Sequence, residues 1–149
     1  MQIADLLTVE SVVLDLRAKS KSELLLKLSK LAASHVPIGE IEIFKALSAR
    51  EALGSTGMGA GVALPHARLA RVVAPAGIFV RLAQPIDFDA VDGAPVDLVF
   101  LLLLPDFPNS VQLPALACVA RGLRDPRVIT GVRKARNTEQ IFDAISAAA

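Results

Sequence analysis

The sequence predicts a single α/β domain in which a strand-rich middle is covered on both faces by helices. Three observations carry this reading. Apolar residues repeat at helical spacing near both ends of the chain, and short apolar runs bounded by Pro, Gly and Asp occupy its middle. A chain of 149 residues that is 53% hydrophobic and 21% charged is also large enough to bury one sizeable core. No fixed-period repeat, low-complexity linker or composition break divides residues 1–149, so they read as one domain.

The first helix is predicted over 20–35. Ser20-Lys-Ser-Glu23 has the form of a capping box, and Leu24, Leu25, Leu28, Leu31 and Ala32 follow at helical spacing until Val36-Pro37 stops the pattern. A second helix is predicted over 39–53, with Ile43, Phe44 and Leu47 on one side and Gly54 where a helix ends. It delivers Arg50 and Glu51 to its last turn. Strands are predicted at Gly61 to His66, Ala76 to Leu82 and Val96 to Leu104, the last apolar throughout except for Asp97 and thus buried on both faces. After Pro108-Asn-Ser, helical spacing returns at Leu113, Leu116, Ala117, Ala120 and Leu123, with Pro114 tolerable only in the first turn. A basic helix over about 127–136 and a last one after Asn137-Thr138 complete the order.

Composition excludes several functions. Sixteen Lys and Arg against fifteen Asp and Glu leave no surplus to neutralise a nucleic acid backbone, and the absence of Trp and Tyr removes the usual stacking platforms. The longest purely apolar run, Leu98 to Leu104, is far below the ~18 residues needed to span a bilayer, and Met1-Gln-Ile-Ala-Asp has no basic run followed by an apolar stretch, so neither membrane insertion nor secretion is expected. One cysteine and two histidines supply neither an internal disulfide nor a closed zinc site, so the expectation is a cytoplasmic protein with no metal.

The chemistry is concentrated between the second helix and the first predicted strand. Gly54-Ser-Thr-Gly57-Met-Gly59-Ala-Gly61 holds four glycines in eight residues, a composition suited to aiming backbone N–H groups at an anion, with Ser55 and Thr56 as added hydroxyl donors. No Lys follows the final glycine as in a Walker loop, Val62 occupies the last glycine of a dinucleotide fingerprint begun at Gly57, and Leu53 spoils a serine-hydrolase elbow around Ser55. No nucleotide cofactor is implied. The segment ends in Pro65-His66, with Arg68 close behind. Imidazole is a neutral nucleophile at physiological pH, and a phosphoryl group on its nitrogen is stabilised by N–H donors and a guanidinium, for which Arg50 is placed.

Arg50-Glu-Ala-Leu-Gly-Ser-Thr-Gly-Met-Gly-Ala-Gly-Val-Ala-Leu-Pro-His66-Ala-Arg68 resembles the signature of the enzyme IIA domains of the bacterial phosphoenolpyruvate-dependent phosphotransferase system, fructose/mannitol class. Pro85-Ile-Asp-Phe-Asp-Ala-Val-Asp-Gly-Ala-Pro-Val-Asp-Leu-Val-Phe-Leu-Leu-Leu-Leu-Pro105 is similar to that family's second characteristic block, especially in its nitrogen-regulatory branch. The resemblance spans nearly the whole chain. It implies a mixed five-stranded sheet between helices, and His66 as acceptor of a phosphoryl group from a histidine-phosphorylated small carrier protein that is itself charged through an enzyme I. It also implies a second active-site histidine, whose position here is held by Gln112. An amide donates a hydrogen bond but carries no charge, so retained phosphorylation with altered kinetics is expected.

The expected site therefore comprises His66 as nucleophile, with Arg50, Ser55, Thr56, Gly57, Gly59 and Gln112 around the phosphoryl oxygens. Met58, Leu64, Arg68 and Leu69 form the expected docking rim for transient partners, which are the donor carrier and either regulatory targets or an enzyme IIB. A binding module that has lost phosphorylation is the alternative from another class. Among the remaining residues, His35 reads as a helix-end residue, Cys118 as a buried inert thiol, and Asp87, Asp89 and Asp92 as turn residues. Five Arg and one Lys between Arg121 and Arg136 face only Asp125, which reads as a solvated helical face before it reads as a partner surface. Glu51 either orients Arg50 or ends its helix.

Overall fold

The run expected to be buried on both faces is the centre of the sheet. In the computed structural model, which describes residues 1–107 and 112–147, it forms a strand over Val96–Pro105. Leu98, Phe100, Leu102 and Leu104 enter one apolar layer, while Val99, Leu101 and Leu103 enter the other, as the two-residue period of a strand requires. The turn expected at Pro108-Asn-Ser lies outside the described residues.

In chain order the strands are β1 (Val12–Leu16), β2 (Gly57–Gly59), β3 (Val62–Ala63), β4 (His66–Leu69), β5 (Ala76–Ile86) and β6 (Val96–Pro105). β5 runs antiparallel to β6, and β1 is parallel to β5 at that edge. On the other side of β6, β3 and β4 lie end to end and parallel to it, and β2 pairs antiparallel with β3. Val62 stands opposite Leu98 and His66 opposite Leu102, an unchanged register, so β3 and β4 are one line interrupted at Leu64-Pro65. The six segments thus fill the five positions of a mixed sheet. The interruption has a local cause. Pro65 has no N–H, and the Leu64 N–H turns to the Thr56 carbonyl at 3.0 Å, while the Pro65 carbonyl still accepts from Leu102 at 3.0 Å.

Helices α1 (Lys21–Ala33) and α2 (Glu40–Ala52) cover one face, and α3 (Gln112–Leu123), α4 (Pro126–Lys134) and α5 (Thr138–Ser146) cover the other. Their ends follow the expected chemistry. Ser20 accepts from the Glu23 N–H at 3.1 Å, Asn137 accepts from Gln140 at 2.8 Å, and Pro114 sits in the first turn of α3. The Ser20 box closes one residue early, because the Glu23 carboxylate accepts from Lys19 rather than Ser20. No helix among the described residues is long and apolar enough to cross a membrane.

Beyond the extension of β4 to Leu69 and of β5 to Ile86, past the ends expected at His66 and Leu82, two strands depart from the sequence reading. β1 is absent from it because a bulge between Leu14 and Leu16, with Asp15 at φ 58°, breaks the alternation that marks a strand. β2 lies inside the glycine segment expected to be all loop. There a side chain at Gly57 would come within 2.8 Å of the Ala90 Cβ, so close packing accounts for that glycine.

Candidate active site

His66 opens β4, immediately after the break in the line, and faces an open cavity of about 670 Å³. The end of α2 contributes Arg50 and Leu53 to this cavity, β4 contributes Arg68, and the start of α3 contributes Gln112 and Leu116. Strand alternation explains why His66 and Arg68 share this side while Leu69 turns into the core; Ala67, buried on the other face, still borders the cavity.

Both ring nitrogens of His66 have partners of fixed polarity. Nδ1 lies 3.0 Å from the Leu64 carbonyl oxygen, which only accepts, so Nδ1 carries the hydrogen. Nε2 accepts from the Arg50 Nε–H at 3.3 Å, so it carries the lone pair. Burial holds the ring's pKa below the ordinary histidine value, and Arg50 and Arg68 push the same way. The Leu64 hydrogen bond and the Glu51 charge oppose them without reversing the direction. The result is a neutral imidazole whose Nε2 lone pair faces a guanidinium. Arg50 is itself held by Nη1, which donates to the Gly54 carbonyl at 3.0 Å.

The structure commits the expected donors of the glycine segment to the protein itself. The Thr56 N–H donates to Glu51 Oε2 at 3.2 Å and the Thr56 hydroxyl to Glu51 Oε1. The Ser55 hydroxyl donates to the Phe88 carbonyl at 2.8 Å while accepting from the Gly57 N–H at 3.1 Å. None of Ser55, Thr56, Gly57 and Gly59 lines the His66 cavity; Gly59 lines a separate groove with Met58. Gln112 does line the His66 cavity, but its amide N–H donates to the carbonyls of Pro105 and Phe107. The expected oxygen cradle is therefore corrected on these points. A hairpin that packs Gly57 against Ala90 has turned its donors toward α2 and the Phe88 loop.

The docking rim is corrected too. Leu64 and Leu69 are buried, one in each apolar layer, and cannot meet a partner. The apolar surface beside His66 comes instead from Leu53, 84% exposed, and Leu113, 78% exposed, with Leu116 between them and the core. Large apolar residues at the ends of two helices were the available signal for this rim. Asp106, just past β6, brings a carboxylate to the same cavity. Nothing in the spacing marked Lys21, whose Nζ sits 2.7 Å from Glu51 Oε2.

The remaining singled-out residues have structural settings. Asp92 accepts from the Ala60 and Ala94 N–H groups, which hold its carboxyl below the usual range, and Asp87 accepts from the Asp89 N–H. Cys118 is buried and His35 is exposed just beyond α1. In the basic segment Arg127 pairs with Asp125 and Arg133 with Asp97, while Arg121, Arg124, Lys134 and Arg136 are exposed.

Residues 5–148 match the family model described as phosphoenolpyruvate-dependent sugar phosphotransferase system, EIIA 2. A nitrogen regulatory protein from Bradyrhizobium diazoefficiens is 40% identical over 98% of this chain and 95% of its own length. The nitrogen regulatory protein of Escherichia coli K12 is 35% identical over 98% of this chain and 90% of its own. Among solved structures, the nitrogen regulatory protein IIA-Ntr from Neisseria meningitidis superposes with a TM-score of 0.89 at 34% identity, covering 96% of this chain and 98% of that one. The IIA mannitol protein of Escherichia coli shares the fold, with a TM-score of 0.77 at 20% identity over 93% of this chain and 98% of that one. With a match over nearly its full length and a shared fold, the chain belongs to the phosphotransferase system EIIA 2 family.

Proposed function

We propose that the protein is a cytoplasmic phosphohistidine carrier and regulator of the nitrogen-regulatory branch, phosphorylated on His66 Nε2 by a histidine-phosphorylated small carrier protein. The observation that carries this reading is the fixed polarity of the ring, with Nδ1–H on the Leu64 carbonyl and Nε2 open toward Arg50. The Nε2 lone pair attacks phosphorus, and the P–N bond of the donor histidine breaks with its electron pair returning to the donor ring. The Nδ1 hydrogen stays on the Leu64 carbonyl, so the phosphorylated ring is a phosphoimidazolium, and a donor ring that carries a hydrogen on its other nitrogen departs as neutral imidazole, which balances the protons without a transfer between the rings. Arg50 Nε loses its lone-pair partner and is left to donate to the phosphoryl oxygens. Leu53, Leu113 and Leu116 supply the apolar surface for a transient complex.

A new dianion in this cavity changes its charge sharply, which is the physical basis for releasing or recruiting regulatory targets. Transfer onward to an enzyme IIB is the alternative output. The test is reconstitution with phosphoenolpyruvate, an enzyme I and its phosphocarrier, omitting each in turn and locating acid-labile phosphate by intact mass and peptide mapping. Phosphate on His66 that disappears without the carrier, and in His66→Ala, is the expected result. No labelling with several carriers overturns the reading in favour of a binding module, with Gln112 as the first suspect. Adding an enzyme IIB to the phosphorylated protein then separates the two outputs.

A further inference from the structure

We propose that Glu51, charge-balanced by Lys21, is a positioning residue for His66: through Thr56 and Leu64 it holds the imidazole with its hydrogen on Nδ1 and so reserves Nε2 for reaction. The path is continuous. Glu51 accepts from both the N–H and the hydroxyl of Thr56, the Thr56 carbonyl accepts from the Leu64 N–H at 3.0 Å, and the Leu64 carbonyl accepts from His66 Nδ1 at 3.0 Å. Each link removes a freedom from the next. Pro65 has no N–H, so the Leu64 carbonyl is held between two backbone anchors, the Leu64 N–H on Thr56 and the Pro65 carbonyl on Leu102, and the Thr56 anchor is the one that Glu51 controls.

Lys21 belongs to the device for a separate reason. It is the first residue of α1, where the helix dipole disfavours a cation. Glu51 offsets that from 2.7 Å, and the Phe88 ring lies 4.5 Å below the ammonium. The carbonyl of the same Phe88 accepts from Ser55, so α1, α2 and the Phe88 loop grip the segment together. The Glu51 side chain is only 5% exposed, a setting in which a carboxylate needs its counter-charge. Arg50 cannot substitute for this path. Its 3.3 Å contact is to Nε2, and it ends when that nitrogen reacts, whereas the Nδ1 contact survives in both states.

The charged groups that share the ring's surroundings are Arg50 and Glu51 from α2, Arg68 from β4, and Asp106 beyond β6. Loss of the Glu51 charge lowers the titration midpoint of the ring, since that carboxylate favours the protonated form. A purely structural contact makes no such contribution.

The consequence for catalysis rests on His66 being the phosphoryl acceptor; the tautomer does not, so the two readings are tested separately. Imidazole nitrogen NMR of the unphosphorylated full chain reads the tautomer directly. The wild type is expected to show Nδ1–H alone, and Glu51→Gln to shift the tautomer ratio by about fivefold toward Nε2–H, the worth of one net hydrogen bond. Lys21→Gln shifts it in the same direction, and Lys21→Arg, which keeps the ion pair, restores it. In phosphoryl transfer, kcat falls in Glu51→Gln while KM for the carrier protein is unchanged. A folded Glu51→Gln protein with an unaltered tautomer overturns the proposal. Should that variant fail to fold, folded Lys21→Gln with an unaltered tautomer overturns it instead. A wild type that no carrier phosphorylates defeats the functional reading and leaves the tautomer result to stand or fall alone.

Discussion

His66 combines two properties that a carrier needs, a lone pair at a defined atom and a ring that stays neutral near physiological pH. Because burial lowers its pKa from the ordinary value of 6.5, phosphoryl acceptance is expected to stay level as pH falls to that value and to decline only below it. A pH–rate profile checks this. The same shift affects stability. Between the folded and the ordinary value the unfolded chain binds a proton that the folded ring refuses, so stability falls as pH drops through that window. His66→Gln removes this component, which thermal melts across the window will show. Arg50→Ala is expected to raise the ring's pKa and to slow acceptance by about 10²-fold, the typical effect of losing one preorganised donor. Gln112→His adds a group able to carry charge and should change both accepting and donating rates; unchanged rates would dismiss a role for that position.

The interrupted line of β3 and β4 shows how a short defect serves a site. By strand alternation Leu64 faces away from β6, with its N–H on the Thr56 carbonyl and its own carbonyl on His66 Nδ1, while Pro65 faces β6 and bonds it only through its carbonyl, which accepts from Leu102. On the other side of β6, Arg81 ties β5 to the end of α4 by donating to the carbonyls of Val132 and Ala135, each at 2.8 Å. Arg81→Met leaves those carbonyls without their donor and is expected to cost about 1–3 kcal/mol, read as a lower Tm with His66 chemistry unaffected. Gly57→Ala forces the hairpin away from Ala90 and is expected to cost a similar ~1–3 kcal/mol while also disturbing the Thr56 contact. These elements were unequally legible. Long helices announced themselves by periodicity, and β6 by its apolar run, but a bulged β1 and a three-residue β2 offer too few residues for a period to register.

The two apolar layers share their strands, since β6 sends Phe100 to one and Leu101 to the other and β5 does the same with Phe79 and Val80. Helices on opposite faces are therefore expected to unfold together, in one cooperative transition. Phe100→Ala, which removes a ring from the α3–α5 side and its edge contact with Phe79 at 6.3 Å, should reduce hydrogen-exchange protection in α1 and α2 as well. Protection lost on one face alone would show two independent layers. The site lies where this arrangement converges, bordered by the ends of α2 and β6 and by the starts of β4 and α3.

Periodicity, composition and two long motif blocks were enough to establish an α/β domain, its family and His66 as the residue to watch, because these depend on residue type and local spacing. The side-chain partners were not. Which donors of the glycine segment face His66, whether Leu64 and Leu69 reach the surface, and what Glu51 holds all depend on chain segments far apart in sequence. Glu51 meets Lys21 across thirty positions only because α1 and α2 pack side by side on one face of the sheet. Hydrogen bonds are directional and each donor hydrogen satisfies one principal acceptor, so a donor that suits a phosphate in sequence is available to one only if folding has not already given it a partner.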